Sequence, residues 1–210
     1  DSAQKAYEIR KMEVYAAMID RLDQNIGRIL AKLRQQEKED NTLIMFVSDN
    51  GASAEMVHIE DDYGEIGSLT RWSSLGQDWA NVSNTPFRFY KNYSYEGGIN
   101  TPFIVWWPDE VKAGTFSEYP AHMIDIMPTL ASITGAVYPE EYNNKPVLPM
   151  QGENLIRVFK GRKNERNAAI GWEWQDGRAV RNDQWKIVKE GLENPWELYN
   201  MQEDPTETND

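Results

Sequence analysis

The sequence predicts an α/β layered fold with a mostly parallel sheet, joined to a small antiparallel sheet near its C-terminal end. An apolar stripe runs from Met12 through Tyr15, Ile19, Leu22, Ile26 and Ile29 to Leu33 in three- and four-residue steps, the repeat of one helix face. Two unbroken apolar runs, 43–47 and 103–107, read as strands covered on both faces, as in a parallel sheet. Further on, short β-type segments separated by Asp176-Gly177 and Asn182-Asp183 read as an antiparallel meander.

In chain order, Asp1 with Gln4 three residues on can begin the cap of the first helix, and Asp40-Asn41 supplies the turn after it. The stripe calls for a sheet to pack on; a lone coiled coil is the lesser alternative, because only three heptads are present. Run 43–47 leads directly into Ser48-Asp49-Asn50-Gly51, at the carboxyl end of a strand, where open α/β sheets bind ligands. Residues 52–90 form a long connection rich in Gly, Ser, Asn and Trp, and connections of that length are functional or disordered. The aromatic residues Trp72, Trp79, Phe87, Phe89, Tyr90, Tyr93 and Tyr95 either line a pocket or bury one another.

Gly97-Gly98 permits a tight turn into run 103–107, which Pro108 stops. Asp125 is placed to cap a short helix with Pro128 in its first turn and Gly135 at its end. Three prolines within 136–151 mark a boundary, giving a first part over 1–137 and a smaller subdomain over 138–210. In that subdomain 168–174, 178–181 and 184–188 are the strand candidates, and the polar stretch 203–207 reads as loose.

Composition narrows the function classes. A chain of 210 residues with a net charge of −12 and no cysteine is long enough to bury a core and too acidic for a nucleic-acid surface. Disulfides, thiol catalysis and thiolate metal sites are excluded within it. No run approaches the ~20 apolar residues of a membrane helix, and the first residues show no signal-peptide pattern. An acidic protein that binds an anion must gather positive charge locally, in a cation or in converging basic side chains.

Two strings offer that chemistry. Asp49 and Asn50 present a carboxylate and an amide oxygen, hard donors suited to Ca²⁺ or Mg²⁺; taken alone, an Asp-Asn-Gly string reads first as an Asx turn after a strand. Lys91, in Lys91-Asn92-Tyr93-Ser94-Tyr95-Glu96-Gly97-Gly98, can act as a point charge on a sulfate or phosphate oxygen; alone, it reads as a solvated lysine. Glu96 is expected to satisfy backbone N–H groups near the double glycine. His58, beside Glu60, Asp61 and Asp62, reads as part of a solvated loop or a weak second metal site. His122 is read as a structural hydrogen-bonding residue, and neither histidine forms a nucleophile–base pair with a serine.

With these strings stand Tyr15-Ala16-Ala17-Met18-Ile19-Asp20, WANVSNTPFR at 79–88, HMIDIMPTL at 122–130, RAVRNDQWKIV at 178–188 and WELYNMQEDPTE at 196–207. Together they resemble the C-terminal half of the formylglycine-dependent sulfatases, the arylsulfatase family of the alkaline phosphatase superfamily. The resemblance implies an alkaline-phosphatase-like layered fold and hydrolysis of an aryl or carbohydrate sulfate ester. It makes Asp49 and Asn50 ligands of a divalent cation, usually Ca²⁺ with Mg²⁺ as the alternative, and Lys91 a contact to the sulfate. Asp49 is further implied in activating the nucleophile.

The formylglycine itself arises from a Cys or Ser followed by Pro two residues later and Arg four residues later. The nearest string, Ser83-Asn84-Thr85-Pro86-Phe87-Arg88, has the wrong spacing, so the nucleophile is expected before Asp1 and this stretch alone is expected to be inactive. A sheet missing its neighbours exposes an edge and apolar surface, which predicts self-association. Asn100 departs from the arginine that many members carry after the double glycine. Arg71, Trp72, Trp79 and Asn81 are candidates to shape the leaving-group pocket. The family's habit implies a periplasmic or secreted protein, and the absent cysteines favour a bacterial one. Phosphomonoester, phosphodiester or phosphonate hydrolysis on the same superfamily scaffold is the enzymatic alternative, and a non-catalytic glycan- or partner-binding module is the other.

Overall fold

The computed structural model describes residues 2–60, 63–163 and 165–209. Helix α1 spans Ser2–Gln35, so it begins well before the apolar stripe; Asp1, expected to begin its cap, lies outside the described residues. Its solvent side is laced with pairs three and four residues apart, among them Arg10–Glu13 at 3.0 Å and Gln24 to Asp20 at 2.7 Å, each a small local gain. Lys32 and Arg34 sit in its last turn, where cations suit the negative end of the helix dipole. In the stripe Met12, Tyr15, Ile26 and Leu33 are half-buried, whereas Ile19, Leu22 and Ile29 are exposed.

Strand β1, Ile44–Val47, pairs with β2, Phe103–Trp106, in the register Ile44↔Trp106 to Val47↔Phe103. The pair is antiparallel, which corrects the expected parallel arrangement of these two strands. A parallel neighbour needs a crossover that carries the chain back to the starting edge. Here the chain reverses within 48–102 and enters β2 from the end where β1 leaves. Phe46 and Ile104 are 42% and 58% exposed, so the strands are not covered on both faces within this chain.

The long connection carries a helix among its described residues. Helix α2, Gln77–Asn84, starts after Gly76, whose φ of +82° suits glycine. Trp79 donates its indole N–H to the Glu8 carbonyl at 3.2 Å, and buried Lys11 pairs with Glu8 at 2.8 Å, so this segment covers the first turns of α1. A single helical turn, α3 at Glu96–Ile99, leads into β2.

Helix α4, Ile126–Thr134, follows a 3₁₀ turn over Met123–Asp125 and ends at Gly135 in the left-handed conformation, as expected. A two-residue hairpin joins β3, Glu141–Tyr142, to β4, Lys145–Pro146, through Asn143 and Asn144 at φ 52° and 59°, the backbone that a tight hairpin turn requires. After the short helix α5, Ile156–Phe159, comes a four-stranded antiparallel sheet: β5, Ile170–Trp174; β6, Gly177–Asn182; β7, Trp185–Lys189; and β8, Glu197–Asn200. Three strands match the expected meander, and β8 is an addition.

The sheet's inner face supplies Ala179, Val188 and Tyr199 to a core that also holds Tyr95 and Met201, with Phe89, Tyr93 and Trp172 packed against it. Phe89 stacks on Tyr93 with centroids 4.5 Å apart. The aromatic residues 89, 93 and 95 are therefore core, anchoring the loop before α3 to the sheet. A second core joins Tyr119, Leu155 and Val158 to Phe103 and Phe159. The stretch 203–207 is not loose: Glu207 is fully buried, and Asp204 accepts backbone hydrogen bonds from Thr208 and Asn209 at 2.8 and 2.7 Å.

Candidate active site

The strings 48–51 and 91–98 lie against each other. Gly51 N–H donates to the Gly98 carbonyl at 2.9 Å, and Lys91 N–H donates to the Ala52 carbonyl at 3.0 Å. Glycine is required at the junction: a Cβ on Gly51 would stand 1.8 Å from the Gly97 oxygen, and one on Gly98 would stand 2.0 Å from the Tyr93 oxygen. The Asn84 side chain adds a further clamp, accepting from Ala52 N at 3.0 Å and donating to the Phe89 carbonyl at 3.1 Å. Thr101 donates its hydroxyl to the Ser48 carbonyl at 2.7 Å. The end of β1, the foot of α2 and the turn into β2 thus form one wall.

On that wall Asp49 is exposed, and no hydrogen bond or ion pair engages its carboxylate among the described residues. Asn50 is half-buried and uses its amide N–H to reach the Gly51 carbonyl at 2.9 Å, which leaves the amide oxygen as the atom able to bind a cation. A carboxylate and an amide oxygen side by side fit part of a hard-cation shell, which takes six to eight oxygens. No group of three or more His, Cys, Asp or Glu side chains able to hold a metal occurs among the described residues.

The Lys91 ammonium lies 2.9 Å from Glu55 Oε2, and Asn92 Nδ2 lies 3.5 Å from Glu55 Oε1. The hydrogen bond from Lys91, helped by those from Ser53 and Asn92, holds the Glu55 carboxyl below the usual carboxylate range. Lys91 already holds an anionic oxygen, so it can hold another. Glu55 was not foreseen; nothing but its charge marks it in the sequence.

Glu96 corrects an expectation. It is buried, as a structural residue would be, but its carboxylate accepts from the Lys186 ammonium at 2.8 Å and not from backbone N–H groups near the glycines. Glu207 completes the cluster. Its Oε2 accepts from Glu96 N–H at 2.7 Å, and its Oε1 lies 2.6 Å from the Lys186 ammonium, an ion pair without hydrogen-bond alignment. Burial pushes the Glu207 carboxyl up, against the pull of Lys186.

His122 sets its ring against Trp172, with centroids 5.4 Å apart. Its Nδ1 accepts from Ile124 N–H at 3.2 Å, while its backbone N–H donates to Asp125 Oδ2 at 2.7 Å. Burial lowers its pKa against the opposing pull of Asp125, and these contacts form the capping box of the 3₁₀ turn. Asp125 is held by Arg166 through two bonds of 2.5 and 2.8 Å. His58 is exposed, and its acidic neighbours Asp61 and Asp62 lie outside the described residues. A cleft lined by Glu153, Asn154, Arg157, Lys163, Glu165 and Asn167 shares no residue with the Asp49–Lys91 wall.

A protein-family model described as Sulfatase matches residues 1–136, and one described as N-sulphoglucosamine sulphohydrolase, C-terminal, matches 87–210. The chain belongs to the sulfatase family. It is 30% identical to an uncharacterized sulfatase of Schizosaccharomyces pombe, over 97% of this chain and 40% of that protein. With the arylsulfatase of Klebsiella aerogenes it shares 32% identity, over 80% of this chain and 39% of that one. Among solved structures it is similar to Ps i-CgsB in complex with k-i-k-neocarrahexaose, with a TM-score of 0.72 and 27% identity, covering 93% of this chain and 38% of that chain. PsFucS1 sulfatase from Pseudoalteromonas sp., at a TM-score of 0.64 and 22% identity over 92% of this chain and 37% of that one, shares the fold. This sulfatase chain thus spans about two fifths of the length of these two curated relatives, and its α/β class is that of the solved sulfatases.

Proposed function

We propose that the whole protein is a sulfuric ester hydrolase, arylsulfatase-like, acting on aryl or carbohydrate sulfates, and that this chain supplies one wall of its pocket. The observation that carries the proposal is the pair of backbone bonds, Gly51 to Gly98 and Lys91 to Ala52, which holds the two hard donors and the lysine in one unit. Asp49 and Asn50 would hold Ca²⁺, with Mg²⁺ as the alternative. Such a cation supplies positive charge where negative charge builds up on the sulfate oxygens. Lys91 contributes a second positive charge, exchanging the Glu55 carboxylate for a sulfate oxygen, so that one anionic contact replaces another. Asp49 is also the carboxylate assigned to help activate the nucleophile.

The nucleophile, a formylglycine by resemblance, and the remaining metal ligands belong to residues outside these 210. A sulfated carbohydrate is the favoured substrate class, supported by the oligosaccharide complex of the similar solved structure. A periplasmic or secreted bacterial setting accords with that reading, and cell fractionation checks it.

In the full-length protein, hydrolysis of 4-nitrophenyl sulfate should depend on added Ca²⁺ and be abolished by chelation. Lys91→Ala and Asp49→Ala should each lower kcat/KM by about 10²-fold. Unchanged turnover in both variants overturns the site, and faster hydrolysis of 4-nitrophenyl phosphate than of the sulfate reassigns the protein as a phosphate ester hydrolase.

A further inference from the structure

The Lys91 loop is held by the C-terminal sheet and the segment after it. Lys186 on β7 and Glu207 beyond β8 are both fully buried, and both grip Glu96, the residue immediately before the double glycine. Arg88, whose carbonyl accepts from Gly97 N–H at 2.9 Å, reaches the Tyr199 hydroxyl at 2.9 Å and the Glu207 carbonyl at 2.5 Å. Glu190, just after β7, accepts from Ser94 N–H at 2.5 Å. Residues 88–98 are thus tied to the sheet at Arg88, Ser94 and Glu96.

A buried group of two carboxylates and one ammonium is a poor device for stability alone, because desolvation consumes most of the attraction between the charges. Its geometric value is greater. Each charge fixes the others, and Glu96 N–H fixes the start of α3 against Glu207.

We propose that Lys186 and Glu207 are positioning residues for the reaction: they set the Glu96-Gly97-Gly98 turn against Gly51 and thereby the placement of Lys91 relative to Asp49 and Asn50. The inference rests on the sulfatase reading for its catalytic part and on geometry alone for its mechanical part. Without the Glu207 contacts the turn gains freedom, the Gly51–Gly98 bond opens more often, and Lys91 no longer meets the sulfate at the distance the metal ligands require.

The test compares three variants of the full-length protein. Glu207→Ala removes both the acceptor for Glu96 N–H and one contact to Lys186, leaving a simple Lys186–Glu96 pair that allows folding. Glu207→Gln keeps the acceptor. Val188→Ala opens a cavity in the same core with the charged cluster intact, and serves as the stability control. The expected result for Glu207→Ala is a fall of about tenfold in kcat with KM for 4-nitrophenyl sulfate nearly unchanged. Amide exchange at Gly51 and Gly98 should quicken about tenfold, and Glu207→Gln should restore most of both. Val188→Ala should lower Tm without either change. If Glu207→Ala resembles Val188→Ala in rate and exchange, the cluster serves stability only and the proposal is overturned. A wild-type protein without sulfatase activity defeats the functional reading, while the exchange measurement still decides whether Glu207 holds the turn.

Discussion

Gly51 carries the tightest constraint in the site. Its missing side chain lets β1 end against the Gly97 carbonyl, where any Cβ would overlap the oxygen at 1.8 Å. Both neighbours are backbone and cannot rotate away, so Gly51→Ala has to displace either the Asp49-Asn50 turn or α3. We expect a loss of about 1–3 kcal/mol, the usual cost of overpacking, measured as a lower midpoint in urea. In the sequence this residue is simply the end of an Asp-Asn-Gly string; a turn glycine and a packing glycine look alike there. Lys91 shows the same limit. Its type suggested an anion, but its partner Glu55, 36 residues away, is joined to it only by the path of the connection.

At the level of elements, the approach to α5 carries a pH dependence. Glu153 is partly buried, which by itself pulls its pKa up. Hydrogen bonds from Lys163, from the N–H groups of Asn167 and Ala168 and from the Tyr119 hydroxyl outweigh that and bring it down to about 2. A carboxyl whose folded pKa lies below its unfolded value of about 4.3 adds stability that is complete above the unfolded pKa and is lost as pH falls toward the folded one. Tm should therefore drop between about pH 5 and pH 2, and Glu153→Gln should flatten part of that fall in thermal scans across the range. An equal slope in the variant would show that other carboxylates carry it. Helix α4 was legible beforehand from Pro128 and Gly135; Asp125, expected to cap it, makes no side-chain cap bond to it and is held instead by Arg166, 41 residues away.

At the scale of the whole molecule, apolar surface is left open on α1 and on the β1–β2 pair. Ile19, Leu22 and Ile29 on α1 and Phe46 and Ile104 on the strand pair are all exposed, although their spacing is that of residues meant to be covered. An antiparallel pair with free edges and an uncovered helix stripe favours association. The 210-residue chain on its own should form dimers or larger species at high concentration, with a mass in light scattering that rises with concentration. A constant monomer mass overturns this expectation. Full-length protein, if it covers these faces, should not show the effect.

The sequence by itself determined the α/β class, the first helix and three strands of the antiparallel sheet, because each rests on periodicity or on residue chemistry within a short window. It also pointed to the sulfatase family through ordered strings that no single window contains. The direction of β1 against β2, the burial of Glu207, the fourth strand and the exchange of Glu96 from backbone partners to Lys186 were decided only by tertiary structure. Each depends on groups far apart in the chain, 90 residues for Glu96 and Lys186, and their encounter is set by packing of the aromatic core around Tyr95, which local sequence does not encode.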